Sequence, residues 1–265
     1  MTERIAILGA GVMGETLLSA ILRSGRSADD LVISEKRDER AEELRAAYGV
    51  RVTGNAEAAA DADVVLLVVK PQDVPGLLTE IADVVRPGAT VLSLAAGIRI
   101  ATIAEALADG VAVVRCMPNT PALVGEGMFG VSAGPGVDEQ QLASVVSLLE
   151  AGGRVVVVDE EQQDAVTAVS GSGPAYVFYL AEAMIAGGVE AGLDADTARA
   201  LATQTLVGAA RLLAESEEPA EELRRRVTSP NGTTHAAITT FDDRGVKDGL
   251  VAGVLAAAAR SAELS

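Results

Sequence analysis

At 265 residues, 49% of them hydrophobic, the chain is long enough for one or two domains with a sizeable core and too apolar to be disordered. Its formal net charge of -17 repels nucleic acid and anionic membranes, so neither is expected as a partner, and no apolar run approaches the roughly 20 residues that cross a bilayer. A single cysteine, Cys116, and a single histidine, His235, exclude an intrachain disulfide and a Cys/His metal cluster; no metal is expected, and the absence of a signal-peptide pattern points to a cytoplasmic protein.

Short apolar strands are expected at residues 5–8, 31–34, 51–53, 64–69, 90–94, 111–116 and 154–158, with amphipathic stretches between them. Within 40–48, for example, Ala41, Leu44 and Tyr48 fall on one helical face, and Gly49 follows as a stop. Alternation of this kind predicts an α/β fold with a mostly parallel sheet covered by helices on both faces. The unbroken apolar run at 64–69 fits a strand buried on both sides. After about residue 159 the strand signals stop, and the chain reads as successive helices interrupted near 170–174, 192–193, 215–219 and 229–232. Two domains are therefore expected, 1–159 for dinucleotide binding and 160–265 all-α. The second has few bulky core residues, so completing its core against a second copy is a natural solution.

The first strand runs into Gly9-Ala10-Gly11-Val12-Met13-Gly14, a G-x-G-x-x-G turn. It opens a helix over 15–23 with Leu17, Leu18, Ile21 and Leu22 on its buried side, the context in which this motif binds a dinucleotide. Gly9 permits the tight turn, Gly11 lets a pyrophosphate approach, and Gly14 lets the helix pack on the strand. The helix start offers N–H groups and a positive dipole end. A glycine-rich turn without ligand is the competing reading. The second strand ends in Ser34-Glu35-Lys36-Arg37. Glu35 alone would bond the ribose of NAD, whereas Lys36 and Arg37, with a hydroxyl from Ser34, would neutralise the 2′-phosphate of NADP. NADPH is favoured over NADH, against the plainer view that these charges only solvate the strand end. Later strand ends, Val69-Lys70-Pro71, Ala95-Ala96-Gly97 and Met117-Pro118-Asn119, should meet the cofactor too. Cys116 reads as a small buried residue, because no histidine or helix start nearby would activate it.

Acid–base groups are scarce. Lysine occurs only at 36, 70 and 247, and His235 is the sole histidine. A 3-hydroxy-acid dehydrogenase would want a Lys or His facing the nicotinamide. An acceptor that arrives already protonated, such as an iminium, would need none.

Three stretches carry a resemblance to a known family: Met117-Pro-Asn-Thr-Pro121, Ser170-Gly-Ser-Gly-Pro-Ala-Tyr176 and Val227-Thr-Ser-Pro-Asn-Gly-Thr-Thr234. Together they resemble pyrroline-5-carboxylate reductase, and the likeness runs over essentially the whole chain. The resemblance implies an N-terminal Rossmann-type domain, an all-α C-terminal dimerisation domain, and NAD(P)H-dependent reduction of 1-pyrroline-5-carboxylate to L-proline, the last step of proline synthesis. It implies a homodimer through the C-terminal helices, with further assembly as large as a decamer built of dimers. Cofactor contacts then fall on Gly9 to Gly14, Ser34 with Lys36 and Arg37, Asn55, Val69 to Pro71 and Ala95 to Gly97. Met117 to Thr120, Asn119 included, should lie beside the nicotinamide, and Ser229, Gly232, Thr233 and Thr234 should hold the cyclic imino acid. Two positions depart from the family pattern: Asn231, where a second glycine is common, and His235, where a small or apolar residue is usual.

On this reading the substrate carboxylate rests on N–H groups of Gly232 to Thr234 and on the Ser229 hydroxyl, while Thr234 is the catalytic residue that hydrogen-bonds the ring nitrogen. Plain helix capping by Thr233 and Thr234 is the simpler alternative. Activity on a six-membered cyclic imine, a cofactor-binding sensor without turnover, and a 3-hydroxy-acid dehydrogenase are the competing functions; the two specific motifs argue against the sensor. Asn tolerates left-handed backbone, so the turn at Asn231 is expected to survive. His235 is expected to be structural or on the surface.

Overall fold

The computed structural model describes residues 3–265. The elements in chain order are β1 (Ile5–Leu8), α1 (Val12–Arg23), β2 (Leu31–Ser34), α2 (Asp38–Tyr48), β3 (Arg51–Thr53), α3 (Asn55–Ala60), β4 (Val64–Leu67), α4 (Val74–Ile81), β5 (Thr90–Ser93) and α5 (Ile100–Ala104). They continue with β6 (Ala112–Met117), β7 (Gly127–Ala133), α6 (Glu139–Glu150), β8 (Gly153–Val157), α7 (Gln163–Val166), α8 (Gly173–Glu190), α9 (Ala195–Glu215), α10 (Ala220–Arg226), α11 (Thr233–Asp243) and α12 (Val246–Glu263).

One eight-stranded sheet has the order β3-β2-β1-β4-β5-β6-β7-β8. The first six strands are parallel and follow the doubly wound dinucleotide-binding order, with the chain reversing direction across the sheet between β1 and β4. Alternating side chains feed two cores, as strands covered on both faces must. Ile5 and Ile7 join Leu17, Leu18, Leu44 and Leu148 on one face. Ala6 and Leu8 join Ala58, Leu77, Leu78 and Ile103 on the other. The expected Rossmann-type α/β architecture is what forms.

β7 is the strand that sequence reading missed. It runs antiparallel to β6 and parallel to β8. Its glycines answer to packing. A Cβ on Gly127 would lie 2.8 Å from the Ala122 Cβ and from the Gly152 carbonyl, and one on Gly130 would overlap the Val166 side chain. Phe129, between them, is wholly buried.

The chain divides into two compact units, residues 1–172 with 257–265, and residues 173–256. The expected domains divided instead at 159 and 160. Residues 257–265 are clipped to the first unit: Ser261 donates to Asp164 at 2.6 Å, and the Leu264 carbonyl lies over Gly97, where a Cβ would come within 2.6 Å of it. The second unit is wholly helical. Its breaks are built locally: Asp194 caps α9 by accepting from the Thr197 N–H at 2.9 Å, and Pro219 precedes α10. Many of its apolar side chains are exposed, including Phe178 and Tyr179 on α8 and Leu201 on α9. Among the described residues, no helix is long and apolar enough to cross a membrane.

Candidate active site

Parallel pairing of β2, β1, β4, β5 and β6 brings their carboxyl ends to one edge of the sheet, and with them most of the expected cofactor residues. Gly9 has φ +101° and donates its N–H to the Ser34 carbonyl at 3.1 Å, which ties the turn to the end of β2. A Cβ there would sit 2.6 Å from the Val68 carbonyl oxygen. A Cβ on Gly14 would collide with the Gly9 carbonyl. Gly11 differs from both: nothing lies within 4 Å of the position its Cβ would take. Gly11 is also the residue before α1, and no side chain caps the helix start. Tight turn, close helix approach and an open, uncapped N-terminus beside Ala10, Val12 and Met13 are the three features a pyrophosphate requires, so these residues fit a dinucleotide.

The end of β2 is more crowded than the sequence suggests. Ser34 is buried, and its hydroxyl donates to Asn55 Oδ1 at 2.5 Å. Asn55 in turn donates through Nδ2 to Glu80 at 2.6 Å. The Arg37 guanidinium donates to Glu35 at 3.1 Å through Nε, and its backbone N–H reaches the same carboxylate at 3.0 Å. Burial disfavours the Glu35 charge, but hydrogen bonds from the Arg37 side chain and backbone outweigh it and hold the carboxyl below its ordinary range. Arg37 thus carries its own counterion, whereas Lys36 is exposed.

Beyond β4, Lys70 precedes a short turn, Pro71–Asp73, and both it and Val69 are accessible. Beyond β5, Ala95 is buried, Ala96 is exposed, and Gly97 takes φ +74°. At the end of β6, Met117 is partly buried while Cys116 is enclosed, and burial pushes its thiol well up, leaving it neutral and without a nucleophilic role. The Asn119 side chain is committed within the protein: Oδ1 accepts from the Met128 N–H at 2.8 Å, and Nδ2 donates to the Ser170 carbonyl at 3.2 Å.

Ser229, Gly232, Thr233 and Thr234 belong to the second unit, where they shape the turn between α10 and α11. Asn231 has φ +60°, the only non-glycine residue with positive φ among those described, as its tolerance of left-handed backbone anticipates. The Gly232 N–H closes the turn on the Ser229 carbonyl at 3.0 Å. Gly232 then starts α11, and no side chain caps it, so neither threonine acts as the simple cap. The first-turn N–H groups are left for an external acceptor. His235 is exposed. Just upstream, Arg225 and Arg226 are taken up by acids: Glu222 receives Arg225 at 2.6 Å and Arg226 at 3.1 Å, and these bonds pull its carboxyl down to about 2.

Comparison with known proteins agrees with this geometry. A family model described as "NADP oxidoreductase coenzyme F420-dependent" matches residues 4–97, and one described as "Pyrroline-5-carboxylate reductase dimerisation" matches residues 160–264. A pyrroline-5-carboxylate reductase of Pseudomonas aeruginosa is 44% identical over 266 residues, covering 100% of this chain and 97% of that one. The solved structure of a pyrroline-5-carboxylate reductase from Coxiella burnetii superposes with a TM-score of 0.95 at 34% identity, covering 100% of this chain and 99% of that one. That of the Plasmodium falciparum pyrroline carboxylate reductase, with NADP bound, gives 0.87 at 26% identity, with 99% and 98% covered. With a glycine turn built for a dinucleotide, an uncapped helix start following Asn231, and a full-length relative at this identity, the chain belongs to the pyrroline-5-carboxylate reductase family.

Proposed function

We propose that the protein reduces 1-pyrroline-5-carboxylate to L-proline with a nicotinamide cofactor, NADPH in preference to NADH. The observation that carries the reading is the start of α11, in a member of this family: no side chain caps the N–H groups of Thr233 and Thr234, while the Gly232 N–H, expected to take part, is spent on the Ser229 carbonyl at 3.0 Å. Such a helix start receives a carboxylate, and it suits an anionic substrate that must bind a protein of net charge -17. The bound nicotinamide supplies the hydride. The chain's own part is to hold the carboxylate on that helix start and to orient the ring nitrogen at the Thr234 hydroxyl. The substrate enters as the protonated imine, so the ring carbon gains the hydride, the C=N π pair moves onto nitrogen as its lone pair, and no side chain must deliver a proton. Rate enhancement then comes mainly from proximity and orientation. Gly9 to Gly14 would hold the pyrophosphate, and the loops Val69 to Pro71, Ala95 to Gly97 and Met117 to Asn119 would border the cofactor.

Lys36, with Arg37 once released from Glu35, supports the NADPH preference, and the NADP-bound relative is in keeping with it. A homodimer through the C-terminal helices, assembled further into a decamer, accounts for the exposed apolar side chains of α8 and α9. Replacing Thr234 by Ala should lower kcat by about 10- to 100-fold, as loss of one positioned hydrogen bond does, with cofactor Kd nearly unchanged. Wild-type kcat in that variant would remove Thr234 from the mechanism.

A further inference from the structure

We propose that Asn119 is a positioning residue: its carboxamide ties the loop at the end of β6 to the π-helical turn Thr167–Gly171, and turnover depends on that tie. The sequence of the turn explains why it needs an outside partner. In a regular helix the Ser170 carbonyl would accept from the amide four residues on, which is Pro174, and proline has no N–H. The turn widens instead, with the Ser172 N–H reaching the Thr167 carbonyl at 2.8 Å. Asn119 Nδ2 fills the vacancy, donating to the Ser170 carbonyl at 3.2 Å and approaching its hydroxyl at 3.4 Å. The carboxamide can sit only one way round, because its other end faces the Met128 N–H, a donor, at 2.8 Å.

Packing repeats the link. The Met117 Cε lies 2.6 Å from where a Cβ on Gly171 would be, so this side chain covers the turn and would have to shift for any larger residue there. One asparagine therefore holds three segments in register: the end of β6, the start of β7 and the last turn before α8. The first of these stands on the same sheet edge as the Gly9 turn, where an open α/β sheet binds its ligand. The last is where the first compact unit ends, at Ser172. Displacing the tie moves the backbone that borders the nicotinamide without removing a group that touches the pyrophosphate.

The inference rests on the reductase reading, and the experiment separates the two. Asn119→Asp keeps an acceptor for the Met128 N–H but sets a carboxylate against the Ser170 carbonyl. Asn119→Ala removes both bonds, and Ser170→Ala keeps the carbonyl and loses only the long hydroxyl contact. Steady-state kinetics with pyrroline-5-carboxylate, NADPH titration by calorimetry and thermal unfolding are measured on each. The expected pattern is a kcat reduced about tenfold or more in Asn119→Asp, the scale of one lost hydrogen bond facing an unpaired carbonyl. Its cofactor Kd stays within about threefold and its thermal midpoint within a few degrees. Ser170→Ala should keep near-wild-type kcat. Asn119→Ala should lose kcat and also thermal stability. Wild-type kcat in Asn119→Asp, or a cofactor Kd that rises in step with the loss of kcat, overturns the positioning role. A wild-type protein that binds NADPH but does not turn over the imine overturns the reductase reading itself.

Discussion

The three glycines of the first turn should fail in three different ways when each is replaced by alanine. At Gly9, a side chain must adopt φ +101° and bring its Cβ to 2.6 Å from the Val68 carbonyl. Left-handed backbone costs about 1–2 kcal/mol and overpacking about 1–3 more. At about 2–4 °C per kcal/mol for a chain of this size, the thermal midpoint should fall by roughly 4–20 °C. At Gly14, overlap with the Gly9 carbonyl destabilises by a similar overpacking cost, offset by about 1 kcal/mol of helix propensity, so the fall should be smaller. Gly11 has φ -69°, ordinary for alanine, and open space around it. Gly11→Ala should leave the midpoint within about 2 °C while weakening NADPH binding at least about tenfold, or 1.4 kcal/mol, because the added methyl occupies the phosphate approach. Differential scanning calorimetry and NADPH titration on the three variants decide the matter. The reasoning is refuted if Gly11→Ala binds NADPH like wild type, or melts as low as Gly9→Ala.

Glu35→Gln should shift cofactor choice toward NADPH, because Arg37 loses its counterion; the ratio of KM for NADH to KM for NADPH is expected to rise several-fold, and a ratio that falls would reverse the assignment. Glu222 carries the acid-sensitive contribution of α10. Its folded carboxyl, at about 2, lies below its ordinary 4.5, so the stabilisation is fully present above pH 4.5 and is lost as pH falls toward 2. The melting difference between wild type and Glu222→Gln should therefore be largest near neutrality, shrink below pH 4.5 and shrink with added salt; a difference that grows on acidification would contradict the sign.

Much of the first unit could be read from periodicity. Strand–helix alternation, the glycine turn and the stop at Gly49, which takes φ +68°, are local signals, and the sheet order follows from right-handed crossovers. What escaped was set by distant neighbours. Gly127 and Gly130 are glycines because Ala122, Gly152 and Val166 leave no room, and no strand was expected at β7. Ser34 and Asn55 were both expected at the cofactor; that they bond each other, 21 residues apart, was not legible. Asn119 was expected beside the nicotinamide; that its side chain also bonds Met128 and, 51 residues on, Ser170 had no local signal. The turn between α10 and α11 was the opposite case: Ser-Pro-Asn-Gly encodes its own shape, and Asn231 adopts the left-handed backbone its side chain tolerates.

The most direct test of the account is oxidation of NADPH and NADH by the purified protein with 1-pyrroline-5-carboxylate, beside piperideine carboxylate and a simple keto acid, with product analysis for proline. The account predicts cofactor oxidation matched one to one by L-proline, faster with NADPH, and none with the keto acid. Turnover of the keto acid with no turnover of either imine would contradict it.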